Sequence, residues 1–221
     1  MKEKSQSFKK IILIGNGKLS KSLQKYLINY QVEIFDKDNI NLLNHAIGDL
    51  LIDCSLSDSF EILYSYIKSN LIPTIICSTN HSPKQLEMIN ELALYIPLFK
   101  EDNFSLGINL INKILKENNR LFNKYTPTLI DIHHEEKIDA PSGTSKKLIK
   151  QLKKDVKTYS IRVSKVIGEH NLRFFAEDEE ITITHKITSR DVFAKGILLA
   201  IDFLKNKDNG FYTMEDIINE I

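Results

Sequence analysis

The sequence predicts an α/β protein of two domains, and three observations carry that expectation. Short β-branched runs alternate with helical spacings over roughly the first hundred residues. A glycine turn separates the first such run from the first helix, and the apolar period changes after Asn103. The 221 residues suffice for one large core or two modest ones.

Lys10 to Ile14 is the first strand, and it runs into Gly15-Asn16-Gly17. Leu19, Leu23, Tyr26 and Leu27 then recur at helical spacing. Val32 to Phe35 forms a second strand, with Asp36 following Gly17 by 19 positions. That spacing suits a carboxylate receiving an adenosine ribose. Further strands are expected at Leu50 to Cys54, Thr74 to Cys77 and Leu94 to Leu98, with helices at Asp58 to Lys68 and Pro83 to Leu92. Such alternation predicts a parallel sheet with helices on both faces, a Rossmann-like dinucleotide-binding domain. The turn brings backbone N–H groups toward a pyrophosphate, although the motif is G-x-G-x-x-S, with Ser20 where the fingerprint has a third glycine. Asp36 suits the ribose hydroxyls of NADH and Lys37 the 2′-phosphate of NADPH, so the nucleotide is left open.

From Asn103 onward Leu106, Leu110, Ile114 and Leu121 predict a long helix, and Thr128 to Ile132 a strand of a second, smaller unit. The strand leads into His133-His134-Glu135-Glu136-Lys137-Ile138-Asp139-Ala140-Pro141-Ser142-Gly143-Thr144. Either histidine can act as acid or base near neutrality, and Lys137 can donate a proton or hold a carboxylate. Ser142-Gly143-Thr144 opens the helix of Leu148, Ile149 and Leu152. Free N–H groups there face an anion, or the serine is simply a helix cap. A small acidic substrate is implied. No metal is expected, because adjacent residues of a strand point to opposite faces and the helical His-x-x-x-His spacing is absent.

Thirty basic against 29 acidic side chains give a net charge of +1, which argues against a nucleic-acid or anionic-membrane partner. The apolar runs are too short to span a bilayer, and residues 1–10 lack the apolar core of a secretory signal, so cytoplasm is the expectation. Cys54 and Cys77 read as small buried residues at strand ends. Lys146 to Lys157 reads as a helix whose lysines form its wet face.

The segment His133 to Ser145 resembles the signature H-H-x-x-K-x-D-A-P-S-G-T of the 4-hydroxy-tetrahydrodipicolinate reductase family. The resemblance extends through Asp53-Cys54-Ser55, Asn103 to Gly107, Gly168-Glu169-His170, Ile183 to Lys186, Phe193 to Gly196 and Gly210 to Asp216. It implies a dinucleotide-binding domain of residues 1–105 plus 192–221, and an α+β substrate and oligomerisation domain of residues 106–191 on an open mixed sheet, assembling a homotetramer. It implies NADH- or NADPH-dependent reduction of a small cyclic dicarboxylate in diaminopimelate and lysine biosynthesis. By the same resemblance His133 is the acid/base residue and Lys137 the proton donor, while His134, Ser142, Gly143 and Thr144 hold the substrate. Gly15, Asn16, Gly17, Lys18 and Leu19 cradle the pyrophosphate, with Asp36 and Lys37 at the ribose. Cys77, Ser78 and Thr79, with Glu101, Asp102, Asn103 and Phe104, flank the nicotinamide.

The chain departs from the family at Ser20, at Cys77-Ser78-Thr79-Asn80 in place of Gly-Thr-Thr-Gly, and in shorter connections near Asp38 to Gly48 and Lys154 to Ser160. Two other functions fit those departures. One is a dinucleotide-binding paralogue without turnover, and the other a reductase of another cyclic imine acid.

Overall fold

The structure, a computed structural model, describes residues 7–221, so part of the leading segment used in the secretory-signal reading lies outside the described residues. The chain divides into two compact units. Unit 1 comprises the residues up to Phe104 together with Asp191–Ile221, and unit 2 is Ser105–Arg190.

Unit 1 is built on six strands: β1 (Lys10–Ile14), β2 (Gln31–Phe35), β3 (Leu50–Asp53), β4 (Thr74–Ile76), β5 (Pro97–Lys100) and β10 (Gly210–Tyr212). They pair in parallel throughout, in the order β10-β5-β4-β3-β1-β2. The helices are α1 (Lys18–Gln24), α2 (Phe60–Asn70), α3 (Pro83–Leu92), α7 (Asp191–Leu204) and α8 (Met214–Glu220). Ile12, Ile14, Leu51, Ile76 and Leu98 pack on one face with Phe60, Leu63, Ile67, Ile89 and Leu92 of α2 and α3. The alternate residues Ile11, Leu13, Leu50, Ile52 and Ile75 are also fully buried, while α7 packs on α1, β4 and β5. A sheet covered on both faces makes its strands apolar at every position, which is why these runs read as continuous rather than alternating. A Cβ on Gly196 of α7 would lie 1.7 Å from the Phe104 carbonyl oxygen, so only glycine lets this helix approach so closely. Ser82 and Gln85 form a capping box at the start of α3, with Pro83 in its first turn.

Unit 2 contains α4 (Leu106–Glu117), α5 (Asn119–Phe122), β6 (Thr126–His133), α6 (Gly143–Leu152), β7 (Lys157–Arg162), β8 (Gly168–Phe175) and β9 (Glu180–Ile187). Its sheet is mixed, ordered β7-β6-β8-β9, with β6 and β7 parallel and the other pairs antiparallel. Leu129, Leu172 and Phe174 pack on one face against Ile108, Leu115, Leu148 and Leu152 of α4 and α6. Strand alternation places Ile130, Ile132, Tyr159, Ile161 and Phe175 on the other face, where Tyr159, Ile161 and Phe175 are exposed.

Four expectations are corrected. The fifth strand is Pro97–Lys100 rather than Leu94 to Leu98, because Leu94 and Tyr95 donate to Glu91 and Leu92 and extend the turn after α3. The helix expected from Asp58 begins as a 3₁₀ turn at Ser57–Ser59 and becomes α-helical only at Phe60. The helix after Asn103 breaks at Asn118, and its Leu110, Ile114 and Leu121 are exposed, while Ile108, Asn109, Asn112 and Leu115 face inward. Both faces carry apolar residues, so spacing alone did not pick the inner one. The lysine-rich helix ends at Leu152; Lys153 takes a left-handed conformation with φ 51°, and Lys157 already belongs to β7.

Candidate functional site

In unit 1 the chain passes from β1 to β2 on one side and to β3 on the other, so the sheet changes direction between β1 and β3. Crevices at such switch points, beyond the carboxyl ends of the strands, are where open α/β sheets bind ligands. Here a cavity of about 650 Å³ is lined by Gly15, Asn16, Gly17, Asp36 and Lys37, with Ile40, Cys54, Ser55 and Ile62 among the other walls. Two glycines serve it differently. Gly15 has φ +95°, and a Cβ there would lie 2.7 Å from the Cys54 carbonyl oxygen, so it is required by the backbone itself. Gly17 has φ −79°, and its Cβ position meets nothing within 4 Å. Among the described residues no packing requires Gly17; the open space suits a ligand that approaches the backbone closely. Lys18 and Leu19 begin α1 and are not part of the cavity lining. Ser20 is buried and accepts from Gln24 Nε2 at 3.3 Å, so the serine replacing the third fingerprint glycine is absorbed inside.

The other positions read as nicotinamide neighbours sit elsewhere in unit 1. Ser78 Oγ donates to the buried Asp53 carboxylate at 2.5 Å, and Ser55 Oγ donates to its other oxygen at 2.5 Å. This carboxylate therefore ties the ends of β3 and β4 together. Cys77 is buried, and burial together with the Cys54 thiol pushes its own thiol up. Thr79 is exposed. Glu101 is buried and accepts from the Asp102 and Met214 N–H groups at 3.0 and 3.4 Å, which fastens α8 to the end of β5. Asp102 pairs with Lys100 at 2.8 Å. Asn103 is half-buried, and Phe104 packs in the core, its ring centroid 5.9 Å from that of Phe99.

In unit 2 the signature segment folds as strand end, turn and helix start. His133 ends β6 facing inward, and the adjacent His134 lines a second cavity of about 650 Å³ with Glu135, Glu136, Ser164, Lys165, Ile167 and Arg190. Lys137 Nζ lies 2.6 Å from Asp139 Oδ1, and Gly143 N–H donates to Asp139 Oδ2 at 3.0 Å. Ser142 is spent internally. Its Oγ caps α6 by accepting from Ser145 N–H at 3.1 Å, and its N–H donates to Asp131 Oδ2 at 2.7 Å. Thr144, half-buried, follows in the first turn.

Sequence reasoning quoted His170 and His185 only as part of the family resemblance and gave neither them nor Asp131 a role. His133 Nδ1 lies 2.6 Å from Asp131 Oδ1. His170 of β8 stands edge-on to His133, with ring centroids 5.3 Å apart, and its Nε2 lies 3.4 Å from Ser142 Oγ. His185 of β9 lies beyond His170, with its Nε2 3.2 Å from Ser105 Oγ. The pairing Asp131↔His170↔His185 puts these residues in one row across the sheet, a signal visible only once the strands are paired. Burial pushes His170 down to about 4 and also lowers His185. The Asp131 carboxyl, despite its burial, is held well below the usual carboxylate range by His133, the Ser142 N–H and Arg162. Polar atoms of Asp131, His133 and His170 lie within 4.8 Å of one another. The 2.6 Å between Asp131 Oδ1 and His133 Nδ1 is nonetheless closer than two ligands of one metal stand. Two ligands of one zinc at bond lengths of about 2.1 Å would stand roughly 3.4 Å apart.

Residues 107–218 match the family model described as dihydrodipicolinate reductase, C-terminus. The 4-hydroxy-tetrahydrodipicolinate reductase of Clostridium novyi (strain NT) is 34% identical over 95% of this chain and 98% of that protein. The reductase of the same name from Brachyspira hyodysenteriae (strain ATCC 49526 / WA1) is 30% identical over 95% of this chain and 99% of its own. Among solved structures, the dipicolinate-bound dihydrodipicolinate reductase from Paenisporosarcina sp. TG-14 has the same fold, with a TM-score of 0.79, 19% identity, and coverage of 96% of this chain and 100% of that one.

Proposed function

This chain belongs to the 4-hydroxy-tetrahydrodipicolinate reductase family, and from that premise we propose that it reduces 4-hydroxy-tetrahydrodipicolinate to tetrahydrodipicolinate with a nicotinamide dinucleotide, in diaminopimelate and lysine biosynthesis. The observation that carries the reading is the convergence of Lys137 Nζ and the Gly143 N–H on a single carboxylate, that of Asp139. Groups arranged for one carboxylate suit a dicarboxylate substrate, and they stand at the start of α6, the helix end whose dipole favours an anion. His134 lines a cavity with Lys165 and Arg190, balanced there by Glu135 and Glu136, and supplies further hydrogen-bonding surface.

The open space over Gly17 and the cavity that Asp36 and Lys37 share fit a dinucleotide held at Gly15, Asn16 and Gly17 with its ribose at Asp36. When bound, the reduced nicotinamide supplies a hydride. The remaining chemistry falls to unit 2: the reaction takes up one proton and releases one water. His133, inward-facing beside Asp131, and Lys137, at the mouth of the α6 turn, are the acid/base groups for that exchange. Fixing both carboxylates of the ring orients the acceptor carbon, which is worth more than any single contact in a bimolecular reduction.

Two finer assignments go with this reading. The exposed Tyr159, Ile161 and Phe175 on the uncovered face of the second sheet support a homotetramer built through that face. Among the described residues no helix is long and apolar enough to cross a membrane, and a nicotinamide-dependent biosynthetic step suits the cytoplasm.

The test is oxidation of NADH and of NADPH, followed at the nicotinamide absorbance, with freshly generated 4-hydroxy-tetrahydrodipicolinate. Wild-type turnover that falls at least about hundredfold in His133→Gln and Lys137→Ala, with both variants folded, is the expected result. The better nucleotide decides between the ribose hydroxyls at Asp36 and a 2′-phosphate at Lys37. A folded protein that binds a nucleotide but leaves this substrate unchanged would remove the assignment, in favour of another cyclic imine acid or a paralogue without turnover.

A further inference from the structure

Asp131 is 0% exposed and lies two residues before His133 on the inward face of β6. Burying a carboxylate is costly unless its oxygens are met by donors or opposite charge. Here Oδ2 receives the Ser142 N–H at 2.7 Å, with Ser160 Oγ and Arg162 Nη2 each at 3.3 Å. Oδ1 lies 2.6 Å from His133 Nδ1, an ion-pair contact without the alignment of a hydrogen bond. Arg162 also binds the Lys137 and Asp139 carbonyls, at 3.2 and 2.5 Å, so the carboxylate and its guanidinium partner clasp the segment on which Lys137 stands.

An ionised carboxylate can only accept, and a bare ring nitrogen 2.6 Å from it would repel it, so the close approach favours a proton on Nδ1. We infer that Asp131 is a positioning residue, which holds neutral His133 in the Nδ1–H tautomer with Nε2 left for proton exchange, and through Ser142 fixes the same turn that holds the substrate. This rests on the reading of His133 as the acid/base residue. The carboxylate does not touch substrate. It acts by presenting the correct nitrogen and by stabilising the imidazolium when His133 takes a proton, the role that second partners of catalytic histidines serve generally. The coupling to Ser142 makes it more than a local orienter: the group that fixes the acid/base ring is also the one that fixes the start of α6.

The experiment is ¹⁵N NMR of the histidine rings in the full chain, at a pH where they are neutral, with His133→Gln used to assign the His133 signals. Wild type is expected to show Nδ1–H at His133. In Asp131→Asn the amide oxygen keeps the Ser142 N–H and the NH₂ turns to the ring, so the tautomer is expected to switch to Nε2–H. In parallel, kcat is expected to fall roughly hundredfold or more with KM changed less than about threefold, and Asp131→Glu to recover part of the loss. An Nε2–H tautomer in wild type overturns the inference, whether or not any variant folds. So does a folded Asp131→Asn that raises KM alone, since the carboxylate would then serve only the turn. A switch of tautomer in a protein that does not reduce the proposed substrate keeps the positioning role and removes the assigned reaction.

Discussion

The carboxylate of Asp139 meets Lys137 Nζ at 2.6 Å and the Gly143 N–H at 3.0 Å, two groups of the proposed substrate site. An anion that binds there has to displace it. Asp139→Asn removes the competing charge, and dipicolinate is expected to bind about threefold to tenfold more tightly, roughly 0.6 to 1.4 kcal/mol. Calorimetric titration of the two proteins measures this directly. Weaker binding by the variant would mean that Asp139 shapes the turn for the ligand instead of holding its place.

Gly15 and Gly17 stand two residues apart and are expected to fail differently. Gly15→Ala puts a side chain at φ +95° and 2.7 Å from a backbone oxygen, so its melting temperature should fall markedly, on the order of 2 kcal/mol or more of stability. Gly17→Ala meets no atom of the described residues within 4 Å. It should melt near wild type yet bind nucleotide about tenfold more weakly. Equal nucleotide affinity in Gly17→Ala would remove the turn from the nucleotide site.

A side chain at Gly168 would reach His133. An added Cβ lies 3.1 Å from its Nε2, so the ring must shift by a few tenths of an ångström. Gly168→Ala is expected to lower kcat about tenfold or more while leaving the urea midpoint close to wild type, because positioning errors of this size matter more to proton transfer than to packing. Steady-state kinetics alongside a denaturation curve separates the two effects, and an unchanged kcat would show that His133 can move without consequence.

Acid should destabilise the protein through His170. Burial first, and the neighbouring His133 second, push this ring from 6.5 down to about 4. Unfolded, it binds a proton near pH 6.5; folded, it refuses one until about pH 4. The unfolded state thus holds more protons across that window, and stability present above it is lost as pH falls, by roughly 3 kcal/mol in all. Urea midpoints of wild type should decline between about pH 7 and pH 4.5, and those of His170→Gln should decline less. Parallel curves would show that another group carries the acid sensitivity.

What the sequence revealed depends on how far apart the cooperating residues lie. Gly15, Gly17 and Asp36 belong to one β-turn-α-β unit, so spacing alone brought them to the same cavity. Ser142 carried two readings, helix cap and ligand contact, and its oxygen serves the cap. Asp131 gave no signal, because its meaning comes from a bond to an N–H eleven residues later and from strands that pair with β6 only after folding. The exposed Leu110 and Ile114 misled for a related reason. Asn109 turns inward and donates to the Ser105 carbonyl at 3.0 Å, a polar tie that no apolar period can announce.

Strand β10, at residues 210–212, closes the β5 edge of a sheet whose other strands all lie before residue 101, and the whole of unit 2 is encoded in between. On a ribosome, order of synthesis therefore differs from order of completion. The inserted unit can finish its own sheet once residue 187 has emerged, whereas the nucleotide-binding sheet waits with an open edge for a strand made more than a hundred residues after its neighbour. Exposed edges recruit other strands, so that interval is when this chain is most open to aggregation.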